Sequence, residues 1–222
     1  MKYGKFLGIS LAIFALAALV GCANALPEYA GKMDVVELTT KKTLGGAKID
    51  LQDEKSGGLA GMATKATGAA AAIKIKKKFQ KNVKPEAIRP IVWKEVNKAL
   101  SNGNPFKAVK KGDKKVDGKM QVYVYEYGMQ QEGSTPVFYT TYKTKIWYNH
   151  PDGEQEMVYK WHWTCDGKGL FEPEGKSGVA GTAAFLSYVN NMTDKMFTQT
   201  VHNGFARCSQ KLAQRLRKKS QK

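Results

Sequence analysis

Residues 120–165 are the best-patterned stretch of this chain, and they limit most strongly what it can fold into. Met120, Val122 and Val124 alternate with Gln121, Tyr123 and Tyr125. Residues 137–148 make a second strand-like run, and Asn149-His150-Pro151-Asp152-Gly153 is a strong turn signal. Residues 154–165 make a third run, with Met157, Tyr159, Trp161, Trp163 and Cys165 on one face and Val158, Lys160, His162 and Thr164 on the other. Successive side chains on a strand point to opposite faces, so a period of two buries one face and leaves the other to water. Three such runs joined by short turns predict a three-stranded antiparallel meander with one face packed on helix. Tyr123, Tyr125, Tyr127, Phe138, Tyr139, Tyr142, Trp147, Tyr148, Tyr159, Trp161 and Trp163 all fall within it. Alternation turns half of them away from the core, where tyrosines beside lysines suit a protein or glycan surface. Ordinary strand propensity accounts for the same residues without one.

Around the meander, residues 33–40 read as a strand, Gly45-Gly46 as a turn and residues 47–52 as a second strand. In the small-residue segment 57–72, Leu59, Met62, Ala66, Ala69 and Ile73 fall at helical spacing. It reads either as a helix packing closely on a neighbour or as a flexible, partly helical linker, since glycine lowers helix stability. Pro85-Glu86 opens a helix with Ile88, Ile91/Val92, Val96 and Ala99/Leu100 on one stripe, starting again or bending at Pro90. Phe106 to Val109 is a short strand. A long basic C-terminal helix over 179–219 carries Phe185/Leu186, Val189, Met192/Met196, Phe197, Val201, Phe205, Cys208, Leu212 and Leu216, with Gly204 as a break or bend. The expected class is α/β (α+β): an antiparallel three-stranded meander plus one or two N-terminal strands, packed against two long helices.

The N-terminus carries an address. Lys2 and Lys5 precede fifteen uncharged residues, Phe6 to Val20, and Leu19-Val20-Gly21-Cys22 follows in register. At 1.5 Å per residue the apolar run spans about 22 Å, short of the roughly 30 Å hydrocarbon core, so it reads as a signal segment rather than a spanning helix. Leu19-Val20-Gly21-Cys22 resembles the lipobox of bacterial lipoproteins. That resemblance implies cleavage before Cys22, acylation of its thiol, and a chain held on the membrane by two or three acyl chains, because one alone binds only marginally. It also implies residues 1–21 as signal peptide, 22–31 as tether, and 32–222 as one periplasmic domain with a basic helical segment at 57–84. By the sorting of enterobacterial-type lipoproteins, the resemblance further implies the outer membrane, facing the periplasm, because Ala23 and not Asp follows Cys22.

Charge is uneven. The chain carries a formal +17, and residues 71–120 hold fifteen Lys/Arg against Glu86, Glu95, Asp113 and Asp117. Residues 207–222 hold seven Lys/Arg and no acid. Two basic regions on a balanced body point to an anionic neighbour. Lys74, Lys76, Lys77, Lys78 and Lys81, with Arg215, Arg217, Lys218 and Lys219, are the candidate residues for an anionic lipid or glycolipid surface; a solvated lysine-rich helix face is the alternative. Export argues against nucleic acid. It also permits a disulfide, and Cys165 and Cys208, both on apolar faces, are the candidates, with two buried free thiols as the alternative.

Catalytic motifs are weak. Gly175-Lys176-Ser177 falls short of a phosphate-binding loop because Leu170 stands where the first glycine is required. His150, His162 and His202 lack metal-ligand spacing, and no Gly-x-Ser-x-Gly elbow is present. No motif asks for a cofactor. The order strand, strand, helix, meander, helix resembles small α/β periplasmic lipoproteins such as the curli-secretion lipoprotein and the lipoprotein activators of penicillin-binding proteins. The lysine-rich insert at 64–84 departs from that pattern. Three functions are expected in turn: a non-catalytic accessory or assembly factor of the cell envelope with a protein partner there; a module binding anionic lipid or glycolipid; and a hydrolase of envelope polymers.

Overall fold

The structure, a computed structural model, describes residues 25–50, 59–101, 106–109, 115–132, 135–167, 170 and 182–221. Cys22 and Gly175-Lys176-Ser177 lie outside them. The described residues form a mixed α/β fold. In chain order the elements are α1 (Leu26–Ala30), β1 (Val35–Thr40), β2 (Gly46–Asp50), α2 (Leu59–Asn82), α3 (Pro85–Ser101), β3 (Lys107–Val109), β4 (Gly118–Glu132), β5 (Thr135–Asn149), β6 (Gln155–Gly167), α4 (Thr182–Asn191) and α5 (Asp194–Ser220). The strands make one sheet in the order β3-β1-β4-β5-β6. β4, β5 and β6 pair antiparallel, whereas β1 pairs parallel with both β3 and β4. β2 pairs parallel with the far half of β4, so β1 and β2 share one edge of that strand.

Two bulges decide which side chains face the helices. In β4 the register slips between Val124 and Glu126, leaving Tyr125 unpaired. Strict alternation would put Tyr123, Tyr125 and Tyr127 together. Instead Tyr127 turns into the core, 5% exposed, against Phe79 and Phe205. Burying a ring of this size stabilises by about 1.5–3 kcal/mol. In β6 the slip falls between Tyr159 and Met157, whose partners are Ile146 and Trp147. Met157 therefore leaves the face it was expected to share with Tyr159 and pairs with Trp147 on the opposite one.

Among the described residues the helices cover one face of the sheet, and their buried side chains join the inner sheet residues in a single core. Ile88, Val92, Val96 and Leu100 of α3 and Phe197, Val201, Phe205, Cys208, Leu212 and Leu216 of α5 meet Val122, Phe138, Tyr142 and Ile146. α3 forms from Pro85 and runs through Pro90, which is exposed. In α2 the expected stripe is displaced: Ile73 is 56% exposed, while Ile75 and Phe79 are buried. The helical reading of this segment holds over 59–82.

Three expectations need correction. The helix over 179–219 is two helices. The break falls at Met192-Thr193, where the Thr193 hydroxyl accepts from the Met196 N–H and caps α5. Gly204 does not break α5, which runs through it from Asp194 to Ser220; a Cβ there would lie 2.8 Å from Phe138 Cε1, so glycine lets helix and sheet approach. Residues 26–30, read as tether, form α1, with Leu26 and Ala30 buried. No helix among the described residues is long and apolar enough to cross a membrane.

Candidate functional site

The cations singled out from the sequence separate into two groups. Lys78 Nζ donates to the carbonyls of Val189 and Asn190, both at 3.1 Å, and to that of Met192. These acceptors lie where α4 ends, so the ammonium satisfies carbonyls that lack intrahelical partners. Burial lowers the Lys78 pKa, and Asp194 partly opposes it. Lys81 pairs with Asp194 at 2.6 Å in the first turn of α5. Arg217 donates to the carbonyl of Ala99, near the end of α3. These three join helices. Lys74, Lys76, Lys77, Arg215, Lys218 and Lys219 are exposed.

Arg215 and Lys218 belong to a cleft between β6 and the last turns of α5. Trp163, Thr164, Cys165 and Asp166 line one wall, and Lys211, Gln214, Arg215 and Lys218 the other, around about 230 Å³. The Arg215 guanidinium lies 5.0 Å from the Trp163 ring centroid, which fixes its plane by cation–π attraction. Lys211 lies 3.7 Å from the Asp166 carboxylate. Beside the cleft, Cys165 and Cys208 form a disulfide that ties β6 to α5. Trp163 stacks on Trp161 at 6.0 Å and on Tyr142 at 6.3 Å. Such a cleft suits a small anionic group on a flat or sugar-like body.

The face of the sheet away from the helices is the larger basic surface, and sequence reasoning missed its cations. Register sets Lys119 beside Trp147, Gln121 beside Lys145 and Lys160, and Tyr123 beside Lys143 and His162. The β4 bulge adds Tyr125, 44% exposed. Lys143 Nζ sits 3.2 Å from the centroid of the Tyr125 ring, and Lys41 Nζ 4.4 Å from that of Tyr123. His162 stacks on Tyr125 at 6.4 Å. Its pKa is lowered by burial and by Lys143 and Lys160, which marks the field on this face as positive. Thr141 and Thr164 share a hydrogen bond of 2.9 Å across β5 and β6. No run of basic residues betrays this face, because its lysines come from separate strands and the β1–β2 connection.

At the β5–β6 turn, Tyr29 of α1 donates to Glu156 at 2.7 Å, and His150 Nε2 lies 3.0 Å from the same carboxylate oxygen. The hydrogen bond from Tyr29, and then that from His150, lowers the Glu156 pKa; the bond to Glu156 raises that of Tyr29. Tyr148 packs 5.1 Å from Tyr29, so α1 docks on the helix side of the sheet end. His202 lies on α5 beside a shallow groove with Asp194, Thr198 and Asn203. Among the described residues no group of three His, Cys, Asp or Glu is arranged to hold a metal.

No protein-family model matches the chain, and no curated protein matches it. Among solved structures, a hypothetical protein from Chlamydia trachomatis superposes over 79% of this chain and 95% of its own, at 9% identity and a TM-score of 0.32.

Proposed function

We propose that this chain is a lipid-anchored accessory protein of a bacterial cell envelope, attached through Cys22 and without catalysis of its own. Cysteine usage carries the reading. Cys165 and Cys208 are bonded to each other, which leaves Cys22, at the end of the lipobox-like segment, as the remaining cysteine of three. A disulfide is weak support for an oxidising compartment, which for an exported bacterial chain means the periplasmic side. The site is the outer membrane, facing the periplasm, with docking on an envelope partner that presents anionic groups. The cleft at Arg215 and Lys218 supports such a partner, lipid or glycolipid headgroups included.

The test is the chemistry of the mature N-terminus. Cells expressing the full chain and fed labelled palmitate should label it. Mass spectrometry should find a peptide beginning at diacylglyceryl-modified Cys22, and Cys22→Ala should abolish the label and release the protein from membranes. A mature chain beginning elsewhere, or an unmodified Cys22, defeats the proposal.

A further inference from the structure

The helix-free face of the sheet carries more unpaired positive charge than the cleft. Lys41, Lys119, Lys143, Lys145 and Lys160 make no ion pair among the described residues, and two of them rest on tyrosine rings instead of carboxylates. The acids near them are Glu37, which is in register with Lys119, and Glu126, which accepts from the Tyr139 hydroxyl at 2.8 Å. We propose that this face is a binding platform for a phosphate-bearing glycan of the envelope, a ligand class that rests on the envelope reading above.

Geometry supports a polymer over a single ion. Positions two apart on a strand repeat at about 7 Å, and neighbouring strands lie about 5 Å apart. Lys143 and Lys145 thus repeat along β5, and Lys160 continues the row from Lys145 onto β6. This is an array of charges along paired strands that can meet several phosphates at once. Between the charges stand Tyr123, Tyr125, His162 and Trp147, rings whose faces receive sugar C–H groups and orient a pyranose. An ammonium parked over a ring can swing to a phosphate without breaking a salt bridge, so the face need not first shed a competing carboxylate.

Position favours a glycan over the membrane that would hold the chain. Only Ala23 and Asn24 lie between Cys22 and Ala25, the N-cap of α1, and the three links can span at most about 10 Å. α1 packs on the helix side of the sheet, through Tyr29 against Tyr148. An acylated Cys22 therefore keeps the bilayer near that side, while the lysine face looks away from it.

The test uses the full-length protein purified in detergent, titrated at low salt with the phosphorylated, de-acylated core oligosaccharide of a lipopolysaccharide. Wild type should bind it. Lys143→Ser, Lys145→Ser and Lys160→Ser together should weaken binding by about tenfold or more, since each exposed ammonium–phosphate contact contributes a few-fold. The corresponding triple change to Arg should keep binding, which guards against a Ser variant that fails to fold. Tyr125→Ser should weaken it by about threefold. Lys74→Ser, Lys76→Ser and Lys77→Ser remove the same charge from α2 and should change nothing. Equal loss in that control, or full binding by the sheet Ser triple, overturns the proposal. So does equal affinity for the dephosphorylated oligosaccharide, or equal or tighter binding of a single-stranded oligodeoxynucleotide with the same number of phosphates. An unmodified Cys22 would end the envelope reading without altering these titrations, and failed titrations would leave the acylation result intact.

Discussion

Lys78 Nζ reaches three carbonyls at the end of α4, while its neighbours Lys76 and Lys77 face solvent. Hydrogen bonds from a charged donor contribute more than neutral ones, and a cation at a helix C-terminus adds to them. Lys78→Met keeps much of the apolar stem but leaves those carbonyls without the donor. It should destabilise the protein by about 1–3 kcal/mol, read as a lower urea midpoint at unchanged slope. Lys77→Met should stay within about 0.5 kcal/mol of wild type. Equal effects at the two positions would mean that the α4 contacts contribute nothing. In the sequence the three lysines are indistinguishable, because what separates them is an acceptor more than a hundred residues away. For the same reason Arg217, expected to face an anionic surface, is found holding the end of α3. The lysines of the sheet face were illegible in a different way: Lys41, Lys119, Lys143, Lys145 and Lys160 form one surface only after the strands have paired.

At the level of elements, what was legible had a local period. The strands of 120–165 and the stripe of α3 follow from spacings of two and of three to four, which burial of one face enforces. The two bulges were not legible, since an extra residue in a strand leaves no mark on composition. Yet the bulge at Tyr125 sends Tyr127 inward and keeps Tyr125 on the lysine face, so it shapes both core and candidate site. Gly204 was legible as an exception and read as a break or bend, whereas the helix runs through it. Alanine is the better helix former by about 1 kcal/mol, so a free helical site would gain from Gly204→Ala. Here the new Cβ meets the ring of Phe138, itself wedged against Phe79 and Phe205. The substitution should instead cost about 1–3 kcal/mol. Adding Phe138→Leu, which vacates the ring edge, should make the alanine far less costly in that background than alone. Additive effects in this double-mutant cycle, measured by denaturant unfolding, would remove close packing as the reason for glycine.

For the whole molecule, the Cys165–Cys208 bond joins the strand β6 to α5 through two cysteines 43 residues apart in the chain. Among the described residues β6 has no strand on its outer side, so its place in the sheet depends on β5 and on what α5 packs against it. Closing a loop of this length removes conformational freedom from the unfolded chain and stabilises the fold by roughly 4 kcal/mol in the chain-entropy model. That is a large part of the 5–15 kcal/mol typical of a domain. Reduction should therefore lower the urea midpoint by about 1.3–2 M if the slope is near 2–3 kcal/mol per M. The double variant Cys165→Ala/Cys208→Ala should match the reduced wild type, not the oxidised one. The cleft should respond as well, because Cys165 lies in its wall and Cys208 sits seven residues before Arg215 on α5. Once the bond is cut, the backbone amides of Trp163 to Asp166 should exchange with solvent at denaturant concentrations where the far-ultraviolet signal is still native. Coincident unfolding curves for the oxidised and reduced forms would show that the bond does not limit the unfolded chain. A cleft signal lost only at global unfolding would show that β6 and α5 stay together without it.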